Sequence, residues 1–191
     1  MNVLISFLGS TLDKKGGYGP GRWEIWRPSV AIALQNDLRF DKYYLLYQPK
    51  FATLKDHIAA DIKHVSPDTE VIPVELDLKD PWDFEEVYGT LYDFSCRYKF
   101  SAEEADFFVH ITTGTHVAQI CLFLLNESHH LPGKMIQTQP DEAQTPIGKY
   151  NLIDLDLSRY DLLAQRFAVE REHDVNFLKS GIPHGTKNST P

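Results

Sequence analysis

The sequence predicts an α/β fold: a parallel six-stranded sheet with helices on both faces. Three observations carry that expectation. Short runs rich in β-branched and aromatic residues alternate with longer segments whose apolar residues recur every three or four positions. Strand–helix alternation of this kind favours parallel pairing. Turn-forming residues such as "SPDT" separate the segments.

Residues 2–9, "NVLISFLG", read as a buried first strand, and a glycine-rich loop covers 10–21. Residues 23–38 read as a helix in which Pro28 implies a kink or a late start. Residues 42–48, "KYYLLYQ", form the second strand. Leu54, Ile58 and Ile62 recur at spacing four and make 51–65 a helix. Residues 70–76 form the third strand, where Pro73 suits an edge or irregular position. Phe84, Val87, Leu91 and Phe94 share one stripe, so 83–98 is a helix that Asp80 or Asp83 can cap. Residues 106–111, "DFFVHI", form a strong central strand, and 116–128 a strongly apolar helix. Residues 134–139 and 150–157 complete the sheet, and 159–179 read as a charged amphipathic helix. The tail, 183–191, has linker composition.

Composition narrows the function. The chain has 191 residues, 42% of them hydrophobic and 24% charged, which places it among globular domains with one sizeable core. No apolar run is long enough to span a bilayer, and the N-terminus lacks the basic region and cleavage site of a signal peptide. Cys96 and Cys121 both lie in apolar surroundings, so buried, reduced thiols in a cytoplasmic protein are expected. The net charge of −8 argues against a non-specific duplex-binding surface but leaves room for one small anionic ligand.

The segment "TTGTH", residues 112–116, ends the central strand and opens a helix. Ligands of parallel α/β sheets bind beyond the carboxyl ends of the strands. Thr113 or Thr115 can cap the helix, and Gly114 permits a tight turn with close approach of a ligand. The first helical N–H groups and the helix dipole favour phosphate. The hydroxyls of Thr112, Thr113 and Thr115 and the ring of His116 add donors. The plainer alternative is that these residues only cap a helix. His110, inside the strand, reads as a hydrogen-bonded core histidine.

The first strand ends in a matching way, at Gly9, Ser10 and Thr11. The loop beyond it offers Lys14, Lys15, Tyr18 and Arg22, then Trp23, Trp26 and Arg27, a mixture suited to phosphate pairing and base stacking. The alternative is a solvated loop with core tryptophans. "GGYGPG" is not a dinucleotide fingerprint, and the second strand ends at Gln48 rather than at a ribose-binding carboxylate. A P-loop lysine, a nucleophile elbow and zinc-type Cys/His spacing are all lacking, so no cofactor or metal is expected.

Six segments occur together in order: "GRWEIWRP", "SPDTEV", "DPWDFEEVY", "HITTGTHVAQIC", "LDLSRY" and "FLKSGI". Through them the chain resembles, to about Ile182, the N-terminal sensory region of the RtcR family, transcriptional activators of an RNA-repair operon. The resemblance implies a CARF domain (a CRISPR-associated Rossmann fold) over 1–182, with 183–191 beginning a linker toward an AAA+ ATPase. It also implies a homodimer. The implied ligand is RNA-derived, an oligoadenylate or an RNA with a 2′,3′-cyclic phosphate end. The loops after the first and fourth strands would hold it, here Gly9, Ser10 and Thr11 with Thr112, Thr113, Gly114, Thr115 and His116; Arg22 joins them as a candidate contact. Full-length members act with promoter DNA and sigma-N RNA polymerase. No catalytic residue is expected in a sensor; the enzymatic alternative is a metal-independent ring nuclease that cleaves cyclic oligoadenylate.

Overall fold

The computed structural model describes residues 1–98, 100 and 103–153, all within one unit, Met1–Asp154. The strands are β1 (Asn2–Phe7), β2 (Lys42–Tyr47), β3 (Glu70–Glu75), β4 (Asp106–His110), β5 (Lys134–Gln139) and β6 (Lys149–Ile153). The helices are α1 (Pro28–Ala31), α2 (Ala52–Val65), α3 (Phe84–Tyr98) and α4 (His116–Glu127). The sheet order is β3-β2-β1-β4-β5-β6. Neighbours from β3 to β5 pair in parallel, giving a Rossmann-like architecture. The order reverses direction at β1 and β4, the switch point where such sheets bind ligands.

Alternation along the strands sends successive side chains to opposite faces. Leu4, Tyr43, Leu45, Phe108 and Ile136 join α1 and α2 in one core layer, through Val30, Leu54, Ile58 and Ile62. On the other face Tyr44 meets Phe94 of α3 edge-on, and α3 packs along α4. Val87, Leu91, Phe94, Ala118, Cys121, Leu122 and Leu125 are buried in that layer. Pro73 lies in β3, an edge strand, as the sequence implies.

Three expectations need correction. β6 runs antiparallel to β5. The chain between Gln139 and Lys149 is too short for a parallel crossover, which takes about a dozen residues or more. The helix expected over 23–38 is broken into a 3₁₀ turn (Pro20–Glu24), α1 and a second 3₁₀ turn (Ile32–Leu34). Pro28 sits in the first turn of α1, so the late start is the outcome. Cys121 is buried but Cys96 is exposed. Residues expected to form the end of the sixth strand and the helix over 159–179 lie outside the described residues.

The break leaves Arg22 and Arg27 free to converge on Asp61 of α2. Arg27 Nη1 donates to Asp61 Oδ2 at 2.6 Å, and Arg22 Nη2 donates to Oδ1 at 3.0 Å. Burial pushes the Asp61 carboxyl up, but the two guanidinium bonds outweigh it and hold it below the usual carboxylate range. Arg27 is itself buried, so losing its partner would strand a charge. Asp61→Asn should therefore cost about 3–5 kcal/mol in urea denaturation; a loss below about 1 kcal/mol would contradict this role.

Candidate functional site

Parallel pairing of β1 with β4, in which Ser6 lies opposite His110, sets the two strand ends side by side. A cavity of about 260 Å³ opens there. Its floor comes from the predicted loops, through Ser10, Thr11, Gly114, Thr115 and His116. Tyr47, Gln48, Phe51, Leu78, Pro81 and Trp82 form its walls.

Of the predicted threonines, Thr115 takes the capping role that the sequence offered. Thr115 caps α4, its Oγ1 accepting from Ala118 N at 3.1 Å and donating to the Pro81 carbonyl at 2.9 Å. Thr113 is buried and donates to the Phe7 carbonyl at 2.6 Å. Thr112 Oγ1 accepts from Thr138 N at 2.7 Å and donates to its carbonyl at 3.1 Å. All three hydroxyls are spent inside the fold, because a buried polar group at a strand end needs a partner. What the turn leaves for the cavity is backbone and the His116 side chain. Gly114 has φ +91, a left-handed conformation that favours glycine, and a Cβ there would stand 3.2 Å from that of Ala118. The first-turn amides of α4 lack intrahelical acceptors and carry the positive end of its dipole.

On the β1 side, Gly9 is a packing residue. Its N–H donates to Asp13 Oδ2 at 2.7 Å, and a Cβ would collide with that oxygen. Asp13 also receives Ser29 N at 3.0 Å and Ser29 Oγ at 2.6 Å, which ties the loop after β1 to α1. Burial pushes the Asp13 carboxyl up to about 6 against those bonds. Ser10 and Thr11 are left facing the cavity. Arg22 is not among the cavity walls. Its guanidinium holds Asp61 and the Tyr18 and Gly19 carbonyls and lies 4.6 Å over Trp23. The loop of 10–21 is anchored to α2 as well, through Tyr18 stacked on His57 at 4.1 Å.

His110 is a core residue, as expected. Its Nδ1 lies 2.8 Å from Ser6 Oγ and its Nε2 2.9 Å from Thr138 Oγ1. A neutral imidazole, one donor and one acceptor, satisfies both hydroxyls. This buried chain fastens β1, β4 and β5 directly beneath the turn.

None of the six wall residues was among the predicted site residues. Trp82 is 61% exposed, a large apolar surface at the cavity mouth. Asp80 Oδ1 accepts its N–H at 2.9 Å, and Asp83 caps α3 through Glu86 N at 2.8 Å, so the "DPWD" turn holds it outward. Phe51 and Tyr47 carry Lys50 and Lys55 ammonium groups, each 5.2 Å over its ring. Lys55 is also paired with Asp56, which offsets its charge. The usable signals were the position of Gln48 at the end of β2, next to the switch point, and the exposed tryptophan in an Asp-Pro turn. Among the described residues, no group of three His, Cys, Asp or Glu could hold a metal ion, and no helix is long and apolar enough to cross a membrane.

The family model described as Regulator of RNA terminal phosphate cyclase, RtcR, matches residues 1–181. The chain belongs to the RtcR family. It is 47% identical over 184 residues to the transcriptional regulatory protein RtcR of Escherichia coli (strain K12), covering 94% of this chain. It spans only 34% of that relative's length. Among solved structures, Enterococcus italicus Csm6 bound to cyclic hexa-2'-fluoro-hexa-dAMP superposes with a TM-score of 0.63 at 13% identity, over 87% of this chain and 44% of that one. A Vibrio cholerae protein superposes with a TM-score of 0.52 at 8% identity, over 80% of this chain and 35% of that one. At such identities these two likenesses speak for the fold.

Burial pushes the His110 imidazole down to about 3, from 6.5. The unfolded chain takes up this proton near pH 6.5, whereas the folded chain refuses it until about pH 3. Stability from His110 is therefore full above pH 6.5 and lost as pH falls through that window. Asp13 acts in the opposite sense: its contribution is full below 3.8 and lost as pH rises through about 6. His110→Gln should gain on the wild type by about 1.4 kcal/mol per pH unit below pH 6. Urea titrations at pH 7, 6 and 5 check this; a pH-independent difference contradicts it.

Proposed function

We propose that this chain is the ligand-sensing domain of a sigma-N-dependent transcriptional activator of RNA repair, binding an RNA-derived ligand at a homodimer interface. The observation that carries the reading is one cavity at the β1–β4 switch point, floored by both crown loops and walled by aromatics. Amide donors and the Ser10 and Thr11 hydroxyls suit phosphate, and aromatic walls suit a base. Membership of a family of regulators supports sensing rather than turnover, and the Csm6 likeness lends the fold precedent for an adenylate ligand. The ligand is an oligoadenylate or an RNA ending in a 2′,3′-cyclic phosphate.

A homodimer is supported by α4. Its outer stripe, His116, Ile120 and Leu124 at spacing four, leaves Ile120 51% and Leu124 37% exposed. The stripe starts at the cavity rim, so pairing two copies along it sets two cavities side by side. The ligand must favour one arrangement of the pair to signal. In the full-length protein that signal passes through a linker after 182 to an AAA+ domain, which acts with promoter DNA and sigma-N RNA polymerase in the cytoplasm.

A second reading, a metal-independent ring nuclease, is favoured by His116, whose ring lines the cavity with no hydrogen bond to another described residue. There a ribose 2′-hydroxyl attacks the adjacent phosphorus. The bridging 5′-oxygen leaves with a proton, and a 2′,3′-cyclic phosphate forms. Positioning supplies most of the rate.

Calorimetry with cyclic tetra-adenylate and with a tetra-adenylate RNA ending in a 2′,3′-cyclic phosphate tests the sensor. At least one should bind. Ser10→Ala should weaken it about 10- to 150-fold, in keeping with a hydrogen bond to a charged group; binding of neither ligand contradicts the reading. Metal-free cleavage that His116→Ala abolishes would favour the nuclease. Ile120→Asp with Leu124→Asp should yield a folded monomer by light scattering, and an unchanged dimer would place the interface elsewhere.

A further inference from the structure

The geometry points to Gln48 as the residue that reads the identity of a nucleobase in the cavity, selecting one whose edge donates an exocyclic amine. This deepens the sensor reading and rests on it. Gln48 ends β2 and lines the wall between the aromatic residues Tyr47 and Phe51. Its Nε2 donates to the Leu78 carbonyl in a long hydrogen bond of 3.4 Å, which turns Oε1 away from that acceptor. Oε1 is left with no donor among the described residues, in a half-buried wall. A carbonyl oxygen in that position rewards an N–H and penalises another acceptor.

Adenine N6 and cytosine N4 carry two N–H groups on the edge where guanine and uracil present an acceptor oxygen. In one common pose the first pair satisfies Gln48 Oε1, and the second pair sets oxygen against oxygen. Trp82 and Phe51 offer apolar faces to either kind of base and reward the larger purine. Adenine is therefore the preferred occupant. A cavity of about 260 Å³ is small against the about 300–1,000 Å³ of pockets for drug-sized ligands, so it takes one base rather than several. A glutamate at this place would also accept from the amine, but its charge would stand beside the ligand's phosphates.

The test titrates the full 191-residue chain with four tetraribonucleotides. They are A4, C4, G4 and U4, each ending in a 2′,3′-cyclic phosphate, so that phosphate content is constant. A4 should bind about ten-fold or more tighter than G4 and U4, with C4 between. Gln48→Leu should bring A4 down to the level of U4 and leave U4 nearly unchanged. Gln48→Glu should weaken all four yet keep A4 ahead of G4. Equal binding of the four RNAs by the wild type, or a ranking that survives Gln48→Leu, overturns the assignment and leaves the sensor reading standing. Binding of none of the four overturns the assignment, and the sensor reading falls with it only if cyclic tetra-adenylate also fails to bind.

Discussion

The parallel pairing of β1 with β4 is the constraint on which the rest depends. Ser6 opposite His110 brings the two strands into a register that sets the ends of both at one level. The Thr113 hydroxyl on the Phe7 carbonyl then locks the turn after β4 onto the end of β1. Beneath it the Ser6–His110–Thr138 chain extends the lock to β5. The cavity exists because these fastenings hold two loops edge to edge at the switch point. None of the fastened groups has to meet a ligand.

This separates holding from binding within a few residues. Thr112, Thr113 and Gly9 hold, while Ser10, Thr11, His116 and the amides opening α4 face outward. Thr115 does both kinds of work indirectly. Its single hydroxyl caps α4 and grips the Pro81 carbonyl, so the floor of the cavity and the turn bearing Trp82 share one atom. A ligand that shifts the start of α4 therefore pulls on the entry to α3, and α3 and α4 pack together. That linkage is a short physical route from an occupied cavity to the outer helical layer.

Much of this was legible from residue patterns. Each strand from β1 to β5 lies where its β-branched and aromatic run placed it, and "TTGTH" sits on the crown because a buried strand has to turn there. His110 in an apolar strand was readable as a satisfied core group. Other features depend on partners far off in the sequence. The hydroxyls of 112–115 looked free because the carbonyls that engage them belong to Phe7, Pro81 and Thr138. Arg22 looked like a ligand contact because Asp61 lies thirty-nine residues away. Gln48 and Trp82 become neighbours of the crown only once the sheet order is known. The antiparallel β6 was readable in principle from the short stretch before it.

The most direct measurement of the central claim is a titration of backbone amide and indole resonances with a tetra-adenylate RNA ending in a 2′,3′-cyclic phosphate. The account predicts that Ser10, Thr11, Gly114, His116 and the Trp82 indole move together along one saturation curve, while Arg22 and Asp61 stay put. Movement centred on the Arg22–Asp61 cluster, or of one crown loop without the other, would contradict it.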